Sequence, residues 1–319
     1  MIGLGAFVRA KQKGVKMNAI EIKNLSKSFR GMYAVDHLNM TVPAGAIYGF
    51  IGENGSGKST TMKLICGHLV PDGGEIKLFG KDYTDPGVRV RVGALIENAG
   101  CFPGSSVYQN LMMQCINLGL ENADEEIMRV LKIVRMEENA NLKFKSCSLG
   151  MKQRIGIAMA LLGSPALLIL DEPINGLDTD GMRIMREILT DITKEYGCTV
   201  LISSHILGEL EKIATHYGII RRGRIIMELS AEEMDSRAEV FTTVEARDTD
   251  GAYRLLKSTY KDVRREGEYL RVYDVEDTEL IASTLLSAGH EILEIKKNKI
   301  GLEEYYVELM SRKEDDTND

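Results

Sequence analysis

Residues 46–60 read AIYGFIGENGSGKST, in which a short apolar run is followed by a glycine-rich turn. The next residues, TMKLICGHL, are compatible with a helix. This order predicts a strand, a loop and a helix in succession. Positions 52–59 match the pattern G-x-x-x-x-G-K-[ST] in full, and a chance match in a chain of this length is roughly a one-in-a-hundred event. A phosphate-binding loop is therefore favoured over an ordinary glycine turn.

The pattern contains the residue types that phosphate binding requires. Glycines allow the backbone to curl so that its N–H groups point at phosphate oxygens, and the positive end of the following helix also attracts the anion. We expect Lys58 to bind the β- and γ-phosphates and the Ser59 hydroxyl to bind Mg²⁺. The residues expected to bind the nucleotide here are Gly52, Glu53, Asn54, Gly55, Ser56, Gly57, Lys58, Ser59 and Thr60.

A carboxylate pair follows a second apolar run. Residues 166–170 read ALLIL, which is short enough for a buried parallel strand, and Asp171 and Glu172 come directly after it. Side chains at the carboxyl end of such a strand face the crevice in which parallel sheets bind ligands. We expect Asp171 to bind Mg²⁺ and Glu172 to act as the general base for an attacking water. With the phosphate loop upstream, this pair predicts hydrolysis of a nucleoside triphosphate.

Three further motifs narrow the class of enzyme. Residues 148–154 read SLGMKQR and open a helix, residues 175–178 read NGLD, and His205 lies in LISSHI, 34 residues after Asp171. In this order they resemble the signature motif, the D-loop and the switch histidine of the ABC ATPase family, over about residues 20–228. The phosphate loop alone leaves a kinase-like phosphotransferase open. A GTPase would carry Asn-Lys-x-Asp, and the nearest text, NKIG at 298–301, lacks the Asp.

The resemblance implies an α/β fold, a P-loop NTPase with a helical subdomain, that binds ATP and Mg²⁺. It also implies a head-to-tail dimer, formed by two copies or with a second ATPase subunit. Ser148 and Gly150 of one subunit would cap the γ-phosphate held by Lys58 of the other, which uses a helix N-terminus as an anion clamp. Asp178 would join the nucleotide site, and His205 would hold the attacking water in line.

The resemblance places one aromatic side chain and one acidic side chain at the same site. Phe29 stands where the family stacks an aromatic ring on adenine, with Tyr33 as the nearby alternative. Glu97, in VGALIENAG, stands where the family has a glutamine that contacts Mg²⁺, and carboxylates also bind this ion. Glu97, the form of the signature motif and the C-terminal extension together resemble the ATP-binding subunits of bacitracin- and lantibiotic-type exporters.

The chain is predicted to contain four segments. Residues 1–16 form a basic leader, expected to be disordered, and we weigh an upstream extension before Met17 against an arm that binds a membrane surface. Residues 17–228 form the ATPase domain, with its helical subdomain at about 100–165. Residues 229–312 form a C-terminal α+β accessory domain that resembles half of a ferredoxin-like split βαβ arrangement. It either stabilises the dimer or senses a ligand. Residues 313–319 form an acidic tail.

The composition bounds the partners. The chain has 319 residues, is 44% hydrophobic and carries a net charge of −7. No window approaches the run of about 18 apolar residues that a membrane-spanning helix requires. We therefore expect a cytoplasmic chain that does not span the membrane by itself, and the family resemblance implies that separate permease subunits hold it at the inner face of the membrane. The alternative is a soluble ABC ATPase that acts on nucleic acid or ribosomes. Against it stand a single cassette, no sustained heptads and no basic surplus.

Overall fold

The computed structural model describes residues 17–273, 275 and 277–315. The chain divides into two compact units between Ala231 and Glu232. We call them the first unit and the second unit. The predicted basic leader at 1–16 and positions 316–319 of the predicted acidic tail lie outside the described residues.

The first unit is built from two sheets and a set of helices. Its described strands are β1 (Asn18–Phe29), β2 (Met32–Pro43), β3 (Ile47–Ile51), β4 (Gly73–Leu78), β5 (Lys81–Asp82), β6 (Val92–Leu95), β7 (Leu167–Leu170), β8 (Thr199–Ser204), β9 (His216–Arg221) and β10 (Arg224–Ser230). Its described helices are α1 (Lys58–Ile65), α2 (Pro86–Arg89), α3 (Val107–Leu118), α4 (Ala123–Ile133), α5 (Leu149–Leu161), α6 (Thr179–Lys194) and α7 (Leu207–Leu210). Helix α8 (Ala231–Arg237) spans the division between the units.

The larger sheet positions the site. Its strand order is β10-β9-β3-β8-β7-β6, and the neighbours from β9 to β6 run parallel. Every residue of β3, β7 and β8 is buried, as expected for parallel strands that are covered on both faces. The carboxyl ends of β3, β8, β7 and β6 therefore lie next to one another along one edge of this sheet.

An antiparallel sheet with the order β2-β1-β4-β5 shares a core with the parallel sheet. Ile22 of β1, Phe50 of β3, Met62 of α1 and Ile169 of β7 belong to one buried cluster. Because the helix that follows the glycine-rich loop packs into this cluster, the loop is anchored at both ends.

Helices α3, α4 and α5 lie between β6 and β7 in the chain. Helix α3 begins with a capping box between Ser106 and Gln109, which satisfies two backbone N–H groups. Helix α4 buries one apolar face, on which Ile127, Val130 and Leu131 are fully covered. Two short 3-10 turns, Glu137–Asn139 and Phe144–Ser146, lead into α5.

The second unit is a complete βαββαβ arrangement. Its described elements are β11 (Val240–Ala246), α9 (Thr249–Thr259), β12 (Val263–Glu266), β13 (Tyr269–Tyr273), α10 (Thr278–Ser287), β14 (Ile292–Lys299) and α11 (Leu302–Asp315). The sheet is antiparallel with the order β12-β13-β11-β14. This is the ferredoxin-like topology. Its core contains Val244, Leu256, Leu270 and Leu285.

The sequence prediction of half of this arrangement was wrong, because it missed β12. Residues 263–266 read VRRE, and only Val263 is buried. An edge strand whose residues are mostly charged and exposed has no apolar alternation to reveal it. Helix α11 also continues to Asp315, into the segment expected to be a tail. None of the helices in the described ranges is long and apolar enough to cross a membrane.

Candidate nucleotide-binding site

The glycine-rich loop connects β3 to α1. Gly57 has φ +110°, and a Cβ at this position would lie 2.4 Å from the carbonyl oxygen of Ala34. A Cβ at Gly52 would lie 2.5 Å from the carbonyl oxygen of Ile220. Only glycine avoids these clashes, so the loop keeps a tight curve. The first N–H groups of α1 have no acceptor within the helix, which leaves a positive end at the loop.

Lys58, the first residue of α1, is buried, with a relative exposure of 6%. Its Nζ donates hydrogen bonds to the carbonyl oxygens of Gly52 at 2.6 Å and Glu53 at 3.0 Å. The same Nζ lies 3.9 Å from Oε1 of Glu172. Burial lowers the pKa of Lys58, while the carboxylates of Glu172 and Asp171 act in the opposite direction. This ammonium therefore connects the loop to the acidic pair.

Asp171 and Glu172 follow β7 directly. The register pairs Leu170 of β7 with Ile202 of β8, which brings Ser203 beside the acidic pair. The Ser203 hydroxyl donates to Oδ1 of Asp171 at 2.6 Å, and the N–H of Glu172 donates to the Ser203 oxygen at 2.9 Å. Sequence reasoning missed Ser203. Its signal was a polar residue at the end of an apolar strand, two positions before the candidate histidine.

His205 follows β8, the strand between β3 and β7. Its Nδ1 lies 2.8 Å from Oε2 of Glu172, and its side chain is 45% exposed. The two carboxylate oxygens of Glu172 thus face different groups, with Oε1 toward Lys58 and Oε2 toward His205. The sheet brings together Lys58, Glu172 and His205. The first and the last of these are 147 positions apart in the chain.

The residues at this edge fit a nucleotide and a divalent cation. Oε1 of Glu172 and Oγ of Ser56 are buried polar atoms with no hydrogen-bond partner within the described part of the chain. A buried polar atom of this kind usually has a partner, which can be water or a ligand. Carboxylate and hydroxyl oxygens, here from Asp171 and Ser59, are the ligands that Mg²⁺ prefers. Ser59 and Thr60 are half-buried at the start of α1.

Glu97 follows β6 and is exposed. Its Oε1 lies 2.6 Å from Nζ of Lys63 on α1, and this hydrogen bond holds the pKa of Glu97 below its usual value. The backbone of Glu97 has φ +65°, an uncommon conformation for a residue with a Cβ. In this structure the Glu97 carboxylate is therefore neutralised by Lys63, a partner that sequence reasoning did not identify.

Phe29 and Tyr33 lie at the end of the β1–β2 hairpin. Phe29 pairs with Met32, and Tyr33 pairs with Ser28 on the adjoining position. Because neighbouring strand positions point to opposite faces, the two rings face different sides of the hairpin. Both are exposed, by 46% for Phe29 and 59% for Tyr33, and Nζ of Lys27 lies 5.6 Å from the centre of the Phe29 ring.

The signature and D-loop residues lie together at two helix starts. The Ser148 hydroxyl accepts from the Met151 N–H at 3.2 Å and caps α5, and the Asp178 carboxylate accepts from the Gly181 N–H at 2.8 Å and caps α6. The two turns also pack against each other. Leu149 reaches within 3.1 Å of the place where a Cβ on Gly176 would lie, and Leu177 comes within 3.6 Å of the corresponding place on Gly150.

Comparison with known proteins places this arrangement in a family. A family model described as ABC transporter matches residues 35–175. The bacitracin transport ATP-binding protein BcrA of Bacillus licheniformis is 34% identical over 300 residues, which cover 91% of this chain and 97% of that protein. The chain belongs to the ABC transporter family. The lantibiotic transport ATP-binding protein SrtF of Streptococcus pyogenes is 38% identical over 222 residues, which cover 70% of this chain and 95% of that protein.

A solved structure supports the same assignment of the ABC transporter family. The structure of cbiO1 from Clostridium perfringens, part of the ABC transporter complex cbiONQ, has a TM-score of 0.63 and 27% sequence identity, and covers 70% of this chain and 92% of that chain. The predicted P-loop fold and ATPase activity are thereby confirmed, and the chain is an ATP-binding subunit of an ABC transporter. The alternative of an ATPase that acts on nucleic acid or ribosomes is not favoured.

Proposed function

We propose that this ABC ATPase powers the export of a peptide antibiotic, a lantibiotic or a similar compound through separate membrane permease subunits. The observation that carries the proposal is similarity along almost the whole chain to a bacitracin transport ATP-binding protein, with 91% of this chain covered. The relatives that support it are named as transport ATP-binding proteins, and the permease would be another polypeptide. The ATPase would be held at the cytoplasmic face of the membrane through that permease.

Within the site, we assign hydrolysis to Glu172, His205 and Lys58. Glu172 would align and deprotonate the attacking water, and support comes from its contact with His205 at 2.8 Å. His205 would hold this water in line with the γ-phosphate. Lys58 would exchange its bonds to the loop carbonyl oxygens for bonds to the β- and γ-phosphates.

Ser59 and Asp171 are the residues that would hold Mg²⁺, with Glu97 as a further ligand. When bound, this ion would offset the charge of the phosphates during transfer to water. For Glu97 to bind it, the contact with Lys63 at 2.6 Å would have to open. Phe29 would stack on adenine, with Tyr33 as the alternative ring.

We assign Ser148, Gly150 and Asp178 to the nucleotide of a second copy of the chain. Support comes from their position at two adjacent helix starts, where Ser148 and Asp178 are exposed. A helix start offers backbone N–H groups and a positive end to a phosphate. In a head-to-tail pair, each loop around Lys58 would face the Ser148 turn of the other copy.

Co-purification with membrane proteins tests the transport role. The full chain, tagged and expressed in its own cells, should be recovered in detergent with a membrane-spanning protein. The Glu172→Gln variant should recover the same protein but should abolish cellular protection against the exported compound. A matched Glu195→Gln variant, which changes an exposed acid at the end of α6, should keep protection. Recovery of the chain without any membrane protein would contradict the proposal.

A further inference from the structure

Ser203 is a polar residue in a fully buried strand of the parallel sheet. It lies in β8, where every residue is buried, and its relative exposure is 0%. A hydroxyl at such a position is costly unless it is hydrogen-bonded. The partners of this hydroxyl therefore indicate why serine occupies the position.

Both hydrogen bonds of the Ser203 hydroxyl go to the acidic pair. A hydroxyl has a single proton, and here that proton goes to Oδ1 of Asp171 at 2.6 Å. The hydroxyl oxygen accepts the backbone N–H of Glu172 at 2.9 Å. One oxygen atom thus fixes the carboxylate of Asp171 and the backbone of Glu172 at the same time.

The backbone of Glu172 needs such support. Its φ is +51°, in the left-handed region that residues with a Cβ adopt uncommonly. Strained backbone conformations persist where surrounding contacts hold them, and they cluster at functional sites. In this conformation the Glu172 carboxylate lies between Lys58, at 3.9 Å, and His205, at 2.8 Å.

We propose that Ser203 is a positioning residue, whose hydroxyl holds Asp171 and Glu172 in the orientations needed for metal binding and hydrolysis. The proposal rests on the assignment of Asp171 to the metal in the proposed function. Ser203 acts through the two acidic residues and not on ATP itself. Groups that orient metal ligands typically change metal affinity or activity by about 10- to 100-fold when they are removed.

The neighbouring residue provides a matched control. Ser204 is on the same strand and is 1% exposed, but its hydroxyl accepts the backbone N–H of Ile206 at 2.9 Å. Ser204→Ala removes the same atom from the same strand without touching a carboxylate. A general loss of packing or stability would affect both variants, whereas a positioning effect belongs to Ser203 alone.

The test uses the full chain and the ATP analogue adenylyl imidodiphosphate. Its dissociation constant is measured with excess EDTA and with Mg²⁺. The constant in EDTA divided by the constant in Mg²⁺ reports how much the metal contributes to binding. For Ser203→Ala we expect this ratio to fall roughly 10-fold or more, with metal-free affinity unchanged. Ser203→Thr, which keeps the hydroxyl, should have the same ratio as the unaltered protein. Ser204→Ala should also have that ratio.

Two further variants keep the outcome decisive. If Ser203→Ala does not fold, Ser203→Cys takes its place, because cysteine has a similar volume but a much weaker donor. Its ratio should fall in the same way. An unchanged ratio in folded Ser203→Ala or Ser203→Cys overturns the proposal. Asp171→Asn separates this result from a failure of the proposed function. If that variant also keeps the ratio, the assignment of Asp171 to the metal is wrong.

Discussion

Among the described residues, a buried charged side chain occurs in the first unit, whereas exposed ion pairs occur in both units. In the first unit, Lys58 is only 6% exposed and lies 3.9 Å from Glu172. In the second unit, Arg264 lies 2.7 Å from Asp262, with 54% of the arginine side chain exposed. Exposed ion pairs contribute little to stability, whereas buried charges mark sites of chemistry. The difference indicates that ATP chemistry resides in the first unit.

Strand direction explains the contrast. Parallel strands end at the same edge of a sheet, so the segments after β3, β6, β7 and β8 place Lys58, Glu97, Asp171 and His205 along one edge. In the antiparallel sheet of the second unit, consecutive ends alternate between the two edges.

Replacement of Glu172 should have the largest effect. We expect Glu172→Gln to lower the rate of phosphate release by about 10³-fold, because general-base catalysis is lost while the groups that bind ATP remain. Phosphate release and bound ATP are measured on the same sample. The Glu195→Gln variant, at an exposed acid, should release phosphate at the rate of the unaltered protein. Rapid turnover in Glu172→Gln would show that Glu172 is not the general base.

Replacement of Lys58 should weaken binding itself. We expect Lys58→Ala to raise the dissociation constant for ATP by roughly 10- to 100-fold, since a hydrogen bond to a charged group is lost. Equilibrium titration with a fluorescent ATP analogue measures this change. Lys77→Ala, at an exposed lysine of β4, serves as the control and should leave affinity unchanged. Equal affinity in Lys58→Ala would contradict the role of the loop.

Replacement of Glu97 should have a small effect. The Lys63–Glu97 pair is exposed, and glutamine can still offer an oxygen to a metal. We therefore expect Glu97→Gln to change half-saturation by MgATP less than about fivefold. A steady-state titration with Mg²⁺ in excess is the measurement. A change far above this value would show that the negative charge of Glu97 itself is needed.

Damage to the core of the second unit should leave ATP affinity unchanged. Leu285 is fully buried on α10, and Leu285→Ala should cost about 2–5 kcal/mol of local stability because it creates a cavity. Amide hydrogen exchange in β11 and β13 reports that loss. In the Leu286→Ala variant, at a 60% exposed neighbour, these amides should exchange as slowly as in the unaltered protein. Loss of ATP affinity in Leu285→Ala would show that ATP binding also depends on the second unit.

Sequence reasoning identified the groups that occupy fixed positions in motifs. The glycine-rich loop, the acidic pair and the histidine each follow a recognisable strand, so their convergence at one edge could be expected. The bonds of Ser203 and the contact between Lys63 and Glu97 depend on tertiary packing. Ser203 and Asp171 are 32 positions apart and meet only through the β7–β8 register. Strand β12 was missed because charged edge residues lack a periodic signal.

The central claim is that each ATP site needs residues from two copies of the chain. Mixing Lys58→Ala with Ser148→Arg tests it directly, since a mixed head-to-tail pair keeps one intact site. Each variant alone should be nearly inactive, and an equal mixture should recover about a quarter of normal hydrolysis, because half of the pairs are mixed and each has one working site. A mixture as inactive as its components, or full activity in Ser148→Arg alone, would contradict the claim.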